Sequence, residues 1–451
     1  MKRFALGFCA VMAASAAAAP PPTPAPGEPT IRVRILYTLT EVNMKAKDAW
    51  VAGTGSIAAD GKDRREIAAG SELKLAVAGT DVALVAKDGT ELLRAPKLML
   101  DGQGTTATLG ISKVPYGIGW WWEATEDRRY GGHLEARVNK AGKIDVVNEL
   151  PLEEYVCGVV PSEIGGDSPL EALKAQAVAA RSETIIALRE HKYSGDGYDI
   201  CADVECQAFS GVTQRTAKSD QSVYETRSMA LFHDLKPFGA YYASSCGGFS
   251  ENVENVWPAR SGPVPYWSAH CDSDTTDSCP LTLASEDALR EFIKAPPPDL
   301  ACNPVGKKGM PAWAQKNFRW RVEKTAEELT ASVAKHKDIG RIVGIESAGR
   351  GPSGRLLKAV FIGEKGTYEA GPELAIRQVF EPPLKSAAFI VETEGPSDRP
   401  DKFIFLGAGW GHGVGMCQTG AIARALAGQD YRKILAHYYR ESEVMPAYPI
   451  D

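Results

Sequence analysis

Between Gly407 and Gly415 a glycine stands at every second position of "GAGWGHGVG", and the segment runs on as "MCQTGA" to Ala421. Successive residues of an extended strand face opposite ways. The spacing therefore predicts a strand with one face bare of side chains and Trp410, His412, Val414 and Met416 on the other. A glycine inside a strand costs roughly 0.5–1 kcal/mol relative to alanine, so five in alternation need a reason. Either another backbone crosses tightly in the core, or the bare face walls a site that a ligand approaches closely. A phosphate cradle is disfavoured, because G-x-G-x-x-G occurs nowhere in the run.

At the other end, Lys2 and Arg3 precede an apolar stretch from Phe4 to Met12 and small residues from Ala16 to Ala19. That is the pattern of a secretory signal over residues 1–19, and a proline-rich tether over 20–30 follows. The stretch is too short to span a bilayer, so the expectation is an exported protein of the periplasm or cell surface with no transmembrane segment. A net charge of −6 and the lack of any basic run argue against a nucleic acid or anionic membrane as partner. Of nine cysteines, eight lie beyond the signal. An even number in an exported chain predicts disulfides, with most of the eight oxidised. Cys201 and Cys206 read as a local disulfide, since a zinc site would want a further Cys or His pair close by. Neither a metal nor a cofactor is expected.

The body of the chain predicts an α+β, strand-rich fold with a few helices around a substrate cleft and with inserted segments. Residues 31–148 hold short strands bounded by Gly, Asp and Asn, among them a hairpin turning at "NKAG". Residues 149–270 form a core segment in which "SPLE" at Ser168 offers a capping box for a helix running to about His191. Residues 271–395 form a cysteine-containing insertion with a helix at "AEELTASVAKHK" and a hairpin, and 396–451 carry the glycine run and two short helices.

Several residues have the chemistry for a site. Glu163 lies between an apolar strand end, Val159–Val160, and a Gly-Gly turn, a setting that raises a carboxyl pKa and suits a general acid. It could equally serve the helix N-terminus that follows. Arg181 falls on the apolar stripe of that helix, either in a core ion pair with Glu154 or Asp167 or fixing a catalytic loop or sugar. Ser244 and Ser245 follow a strand and line a cleft without forming a G-x-S-x-G elbow. Cys246 with His412 is a minor alternative as thiol and base.

The blocks "NELPLEEYVCGVVPSEI", "PLEALKAQAVAARSETI", "CQAFSG", "YYASSCGGFSENVENVW" and "GWGHGVGMCQTGAIARALAGQDYRKILAHYY" together resemble the SpoIID/LytB family, from about Ile31 to Tyr439. The resemblance implies peptidoglycan glycan strands as substrate, stripped of peptides, cleaved by lytic transglycosylase action to 1,6-anhydro ends. It implies Glu163 as the catalytic acid; Arg181, Gln207, Ser244, Ser245, His412 and Gln418 are the expected substrate-binding residues around it. It also implies an alternative: a non-catalytic glycan-binding module that recruits or stimulates a cell-wall amidase. The chain departs from the family where many members carry His-Cys-Gln and this one has Glu205, Cys206 and Gln207, which puts the family's zinc in doubt. It also has Cys246 and Cys417 where serine is common, which fits extra disulfides.

Overall fold

The computed structural model describes residues 24–54, 63–120, 122–260, 262–275 and 279–449; the expected signal and the start of the tether lie outside the described residues. The fold is mixed α+β. Among the described residues no helix is long and apolar enough to cross a membrane.

The first half builds two sheets, antiparallel except where the edge strand Ile200–Cys201 runs parallel to its neighbour. Strand Glu41–Ala46 shows strict alternation, with Val42, Met44 and Ala46 buried and Glu41, Asn43 and Lys45 exposed, so one face goes to the core. It sits inside a six-stranded sheet. A second sheet of seven strands has Thr30–Leu39 beside Ile144–Pro151, which pairs in turn with His133–Val138. This last pairing is the hairpin expected at "NKAG": Val138 stands opposite Ile144, and Asn139 Oδ1 accepts from Ala141 and Lys143 N–H.

Strand Ile144–Pro151 leads directly into helix α1 (Leu152–Ile164), and helix α2 (Leu170–Glu190) follows. The sequence "EALKAQAVAA" makes α2 slender. Leu173, Ala177 and Ala180 pack into the core under the N-terminal sheets, while Ala175, Val178 and Ala179 pack into a second core with Leu231, Phe238, Ala421 and Tyr439. A helix apolar on opposite faces is buried between layers, and α2 is the axle between the two halves. A third core, with Phe361, Phe380, Phe389 and Phe405, fills the inserted segment beneath strands Arg319–Thr325, Phe389–Glu394 and Lys402–Ala408.

Three local expectations are corrected. Ser168 does not cap α2. The N-cap is Pro169, and Ser168 Oγ donates instead to Ile164 O at 2.8 Å, closing the turn behind α1. The residues Val159–Val160, read as a strand end, belong to α1, whose last turn carries Glu163. Of the eight cysteines, Cys201–Cys206 and Cys271–Cys279 are bonded, while Cys157, Cys246, Cys302 and Cys417 are free and buried, so the oxidised share is smaller than expected.

The glycine run is the fourth correction. The strand ends at Ala408, and Gly409, Gly411, Gly413 and Gly415 have φ of 79°, 103°, 81° and 70°. L-residues rarely adopt that region, so the alternation serves backbone conformation rather than a pleated face. Each turn also brings main chain against main chain: a Cβ on Gly415 would lie 2.1 Å from Tyr241 O, and one on Gly409 2.6 Å from Ser245 O. A Cβ on Gly413 would strike the Arg355 guanidinium, which is buried and donates to Gly411 O, Cys246 O and Phe249 O. The tight crossing in the core is what the glycines make possible.

Candidate functional site

Glu163 is held at the end of α1 by the loop that crosses beneath it. Gly158 lets that loop approach, since a Cβ there would lie 2.4 Å from the Phe209 ring, and Ser162 Oγ meets Ser210 Oγ at 2.7 Å. The approach aims the Ala208 N–H at Glu163 Oε1, 2.7 Å away. From the far side of the fold comes Gln418, the first residue of the helix Gln418–Leu426, whose Nε2 donates to Gln176 Oε1 at 3.2 Å and lies 3.4 Å from Glu163 Oε2. Residue Gln176 of α2 is fully buried.

Gln207 forms the floor. Its Oε1 accepts from the Tyr242 hydroxyl at 2.8 Å, and its Nε2 donates to Thr184 Oγ1 at 3.1 Å and toward Tyr155 at 3.4 Å. Tyr242 also reaches the Glu163 carboxyl. Burial pushes the Glu163 carboxyl above its ordinary value, and the Ala208 N–H, Gln418 and Tyr242 only partly offset it. A half-buried carboxyl that keeps its proton at higher pH, aimed by one N–H and one amide, is equipped to donate a proton and then hold the resulting charge. A second raised carboxyl stands on α2, next in sequence to Thr184: burial lifts Glu183 to about 7, with Arg260 opposing, and its Oε1 has no hydrogen-bond partner.

The structure thus brings together Glu163, Gln207 and Gln418, and adds Gln176, Tyr242, Thr184 and the Ala208 N–H. No local spacing marks these additions. Tyr242 reaches the cluster because Tyr242–Ala243 pairs in parallel with Met416–Cys417, and that pairing depends on the glycine crossing.

Other expected residues sit elsewhere or do other work. Arg181 is fully buried and forms a two-pronged ion pair with Glu153, not Glu154 or Asp167: Nε to Oε1 is 2.8 Å and Nη2 to Oε2 is 2.6 Å. Its remaining N–H groups go to the carbonyls of Met229, Ala177 and Val223, so it offers a sugar nothing. Ser245 is fully buried, its backbone bridged to Trp410 in both directions. Ser244 accepts from Asn317 Nδ2 at 2.9 Å through Oγ, and from Thr419 through its carbonyl. Asp167 is on an exposed turn. The residues around Cys201 and Cys206 do not fit a zinc ion: the two sulfurs are bonded to each other, and Glu205 is exposed and paired with Lys192 and Tyr193.

His412 is a positioning residue. Its Nε2 donates to Tyr242 O at 3.0 Å, and its Nδ1 accepts from the Val414 N–H at 3.0 Å, so both nitrogens are spent on main chain and the tautomer is set by those partners. Burial, with Arg355 and Arg377 adding cationic repulsion, lowers its pKa to about 3. An unfolded imidazole takes a proton below about pH 6.5, whereas the folded one resists until about 3. The stability this ring contributes is therefore complete above pH 6.5 and is lost as pH falls through that window. Replacing it by alanine strands the Val414 N–H and the Tyr242 carbonyl at about 1–3 kcal/mol each. His412→Ala should lose about 2–6 kcal/mol in urea unfolding at pH 7.5, with a smaller deficit at pH 5. Unchanged stability combined with lost glycan binding would instead make the ring a substrate contact.

Comparison with known proteins places this geometry in context. The family model described as Stage II sporulation protein matches residues 140–233, the stretch that supplies Glu163, Gln176 and Gln207. A domain of unknown function, DUF8618, matches residues 251–415, the inserted segment and the glycine run. The stage II sporulation protein D of Bacillus amyloliquefaciens is 27% identical over 316 residues, covering 67% of this chain and 76% of that protein. The amidase enhancer of Bacillus subtilis is 26% identical over 297 residues, 62% of this chain but 39% of its own length. An uncharacterised protein of Brachyspira hyodysenteriae is 27% identical over 305 residues, covering 66% and 68%. Through the segment that builds the Glu163 site, the chain is similar to the SpoIID/LytB family.

Proposed function

We propose that this protein cleaves the glycan strands of peptidoglycan as a lytic transglycosylase, with Glu163 as the single acid and base. Relatives named for sporulation and for amidase enhancement support a cell-wall role in the coarser sense. The observation that carries the finer reading is the Glu163 carboxyl itself: raised by burial, aimed by the Ala208 N–H, and hydrogen-bonded among the described residues to a main-chain and a side-chain amide rather than to a second carboxylate. One carboxyl suffices for this chemistry. As the acid, Glu163 protonates the glycosidic oxygen; as the carboxylate, it takes the proton of the N-acetylmuramic acid C6 hydroxyl while that oxygen closes the 1,6-anhydro ring. A hydrolase would want a second carboxylate serving a water or forming an adduct.

The test is to incubate the mature chain with peptide-free glycan strands and read the products by mass spectrometry. Products ending in anhydro-muramic acid are expected, each 18 mass units (one water) below the hydrolytic product. Ends carrying that added water would overturn the transglycosylase reading and bring Glu183 forward as a second carboxylate.

The amidase-enhancer relative favours a second reading, in which the same cleft binds glycan and stimulates an amidase without cutting. A chain that leaves the strands intact but accelerates a cell-wall amidase would support it.

A further inference from the structure

Away from Glu163, three thiols and a carboxylate converge from separate stretches of the chain on one buried point. Cys246 comes from the "SSCGG" turn, Asp272 and Cys302 from the inserted segment, and Cys417 from the N-cap of the helix Gln418–Leu426. All four are buried, and their ligand atoms lie within 4.8 Å of one another. Cys246 Sγ is 3.7 Å from Cys302 Sγ and 3.7 Å from Asp272 Oδ2. A disulfide would hold the sulfurs at about 2.05 Å. A tetrahedral zinc ion, with bonds of about 2.3 Å to sulfur and 2.0–2.2 Å to oxygen, spaces two sulfurs about 3.8 Å apart and a sulfur and an oxygen about 3.6 Å apart.

We propose that Cys246, Cys302, Cys417 and Asp272 bind one structural zinc ion in a closed tetrahedral site. The donor set suits it: three soft sulfurs and one carboxylate oxygen, with four protein ligands and no open position. The surroundings suit thiolates. Cys417 Sγ accepts from the Cys246 and Gly420 N–H groups at 3.2 and 3.4 Å, and Cys246 Sγ accepts from Gly248 N–H at 3.4 Å. Asp272 is oriented from behind, its Oδ1 accepting from Tyr438 at 2.8 Å and from Arg424 at 3.2 Å, which leaves Oδ2 toward the cysteines and the Cys302 N–H. Three thiolates and a carboxylate exceed the charge of a divalent ion, and cations stand where the excess would fall. Arg319, half-buried, has no carboxylate partner among the described residues and donates to Gly247 O, beside one ligand; Lys307 donates to Ala301 O, beside another. Because Gln418 follows Cys417 directly, the ion would fix the start of the helix that presents Gln418 to Glu163, whatever reaction Glu163 performs.

The test uses the full mature chain, exported or refolded under reducing conditions with zinc chloride, desalted and assayed by inductively coupled plasma mass spectrometry. About one zinc per chain is expected. The exported chain, never exposed to reductant and unfolded in chelator, should alkylate at Cys157, Cys246, Cys302 and Cys417, the four free cysteines. Cobalt should replace zinc and give the visible bands of a tetrahedral thiolate site. Cys302→Ser and Asp272→Asn should each lower bound zinc at least about tenfold, while the Cys201→Ser, Cys206→Ser double variant keeps it. Should those variants fail to fold, the zinc content and thiol count of the wild-type chain decide. A chain that takes up no zinc after reduction, a disulfide linking any two of Cys246, Cys302 and Cys417, or zinc lost only with Cys201 and Cys206 would each overturn the assignment.

Discussion

Glu163→Gln should lower turnover of peptide-free glycan strands by at least about a hundredfold, the low end for a positioned general acid, while binding and melting temperature stay close to wild type. Glutamine fits the site because Oε1 can still accept from the Ala208 N–H at the same geometry. What it loses is the proton. The pH profile supplies a second readout. Glu163 is useful to the leaving group only while protonated, and burial holds its pKa above the ordinary carboxylate range. Wild-type kcat/KM should therefore fall as pH rises through that raised pKa. Asp167→Asn should change little, since Asp167 is exposed and its carbonyl is occupied by Lys218. Near wild-type turnover in Glu163→Gln would place the acid elsewhere. If the amidase-stimulating reading holds, Glu163→Gln would stimulate as well as wild type does.

Arg181→Met should cost about 3–5 kcal/mol of stability, the usual result of stranding one partner of a buried ion pair. The pair joins the start of α1 to the middle of α2, and Glu153 also accepts from the Ser228 N–H and the Tyr448 hydroxyl, so the loss spreads to the chain's last strand and beyond. Burial alone would push the Glu153 carboxyl up; the guanidinium and these donors outweigh it and leave it below its ordinary value. A depressed carboxylate stabilises the fold above its unfolded pKa and loses that contribution as pH falls through the folded one. The variant's deficit in urea unfolding should hence be largest at neutral pH and shrink toward pH 4, where the stranded Glu153 takes up a proton. Adding Glu153→Gln should recover part of the loss. A variant of normal stability that no longer binds glycan would return Arg181 to the site.

What depends on near neighbours is legible along the chain. Alternation such as "EVNMKA" has one face to bury, "NKAG" can only turn, and "EALKAQAVAA" is helical and slender enough to lie between two cores. Cys201 and Cys206 stand five apart in the chain and close on each other. Glu163, singled out by apolar neighbours on one side and a Gly-Gly turn on the other, does carry a raised carboxyl, for the burial that pattern suggested. Tertiary structure decided what depends on distant partners. A period of two in glycine fits a pleated strand and an alternation of positive φ equally well; only the crossing by Tyr241–Gly247, with the Arg355 guanidinium beneath, selects the second. Arg181 needed an acid, but Glu153 and Glu154 are adjacent in sequence and a helix turns successive side chains about 100° apart, so which one faces α2 is a matter of packing. His412 looked available for a sugar because Tyr242 is 170 residues away in the chain, and Gln418 meets Glu163 across 255. The thiols of Cys246, Cys302 and Cys417 likewise share no local spacing. Side-chain periodicity is written along the chain, whereas the partner of a buried polar group is chosen when separate layers close on it and each N–H, carbonyl and charge must find whatever the other layer presents.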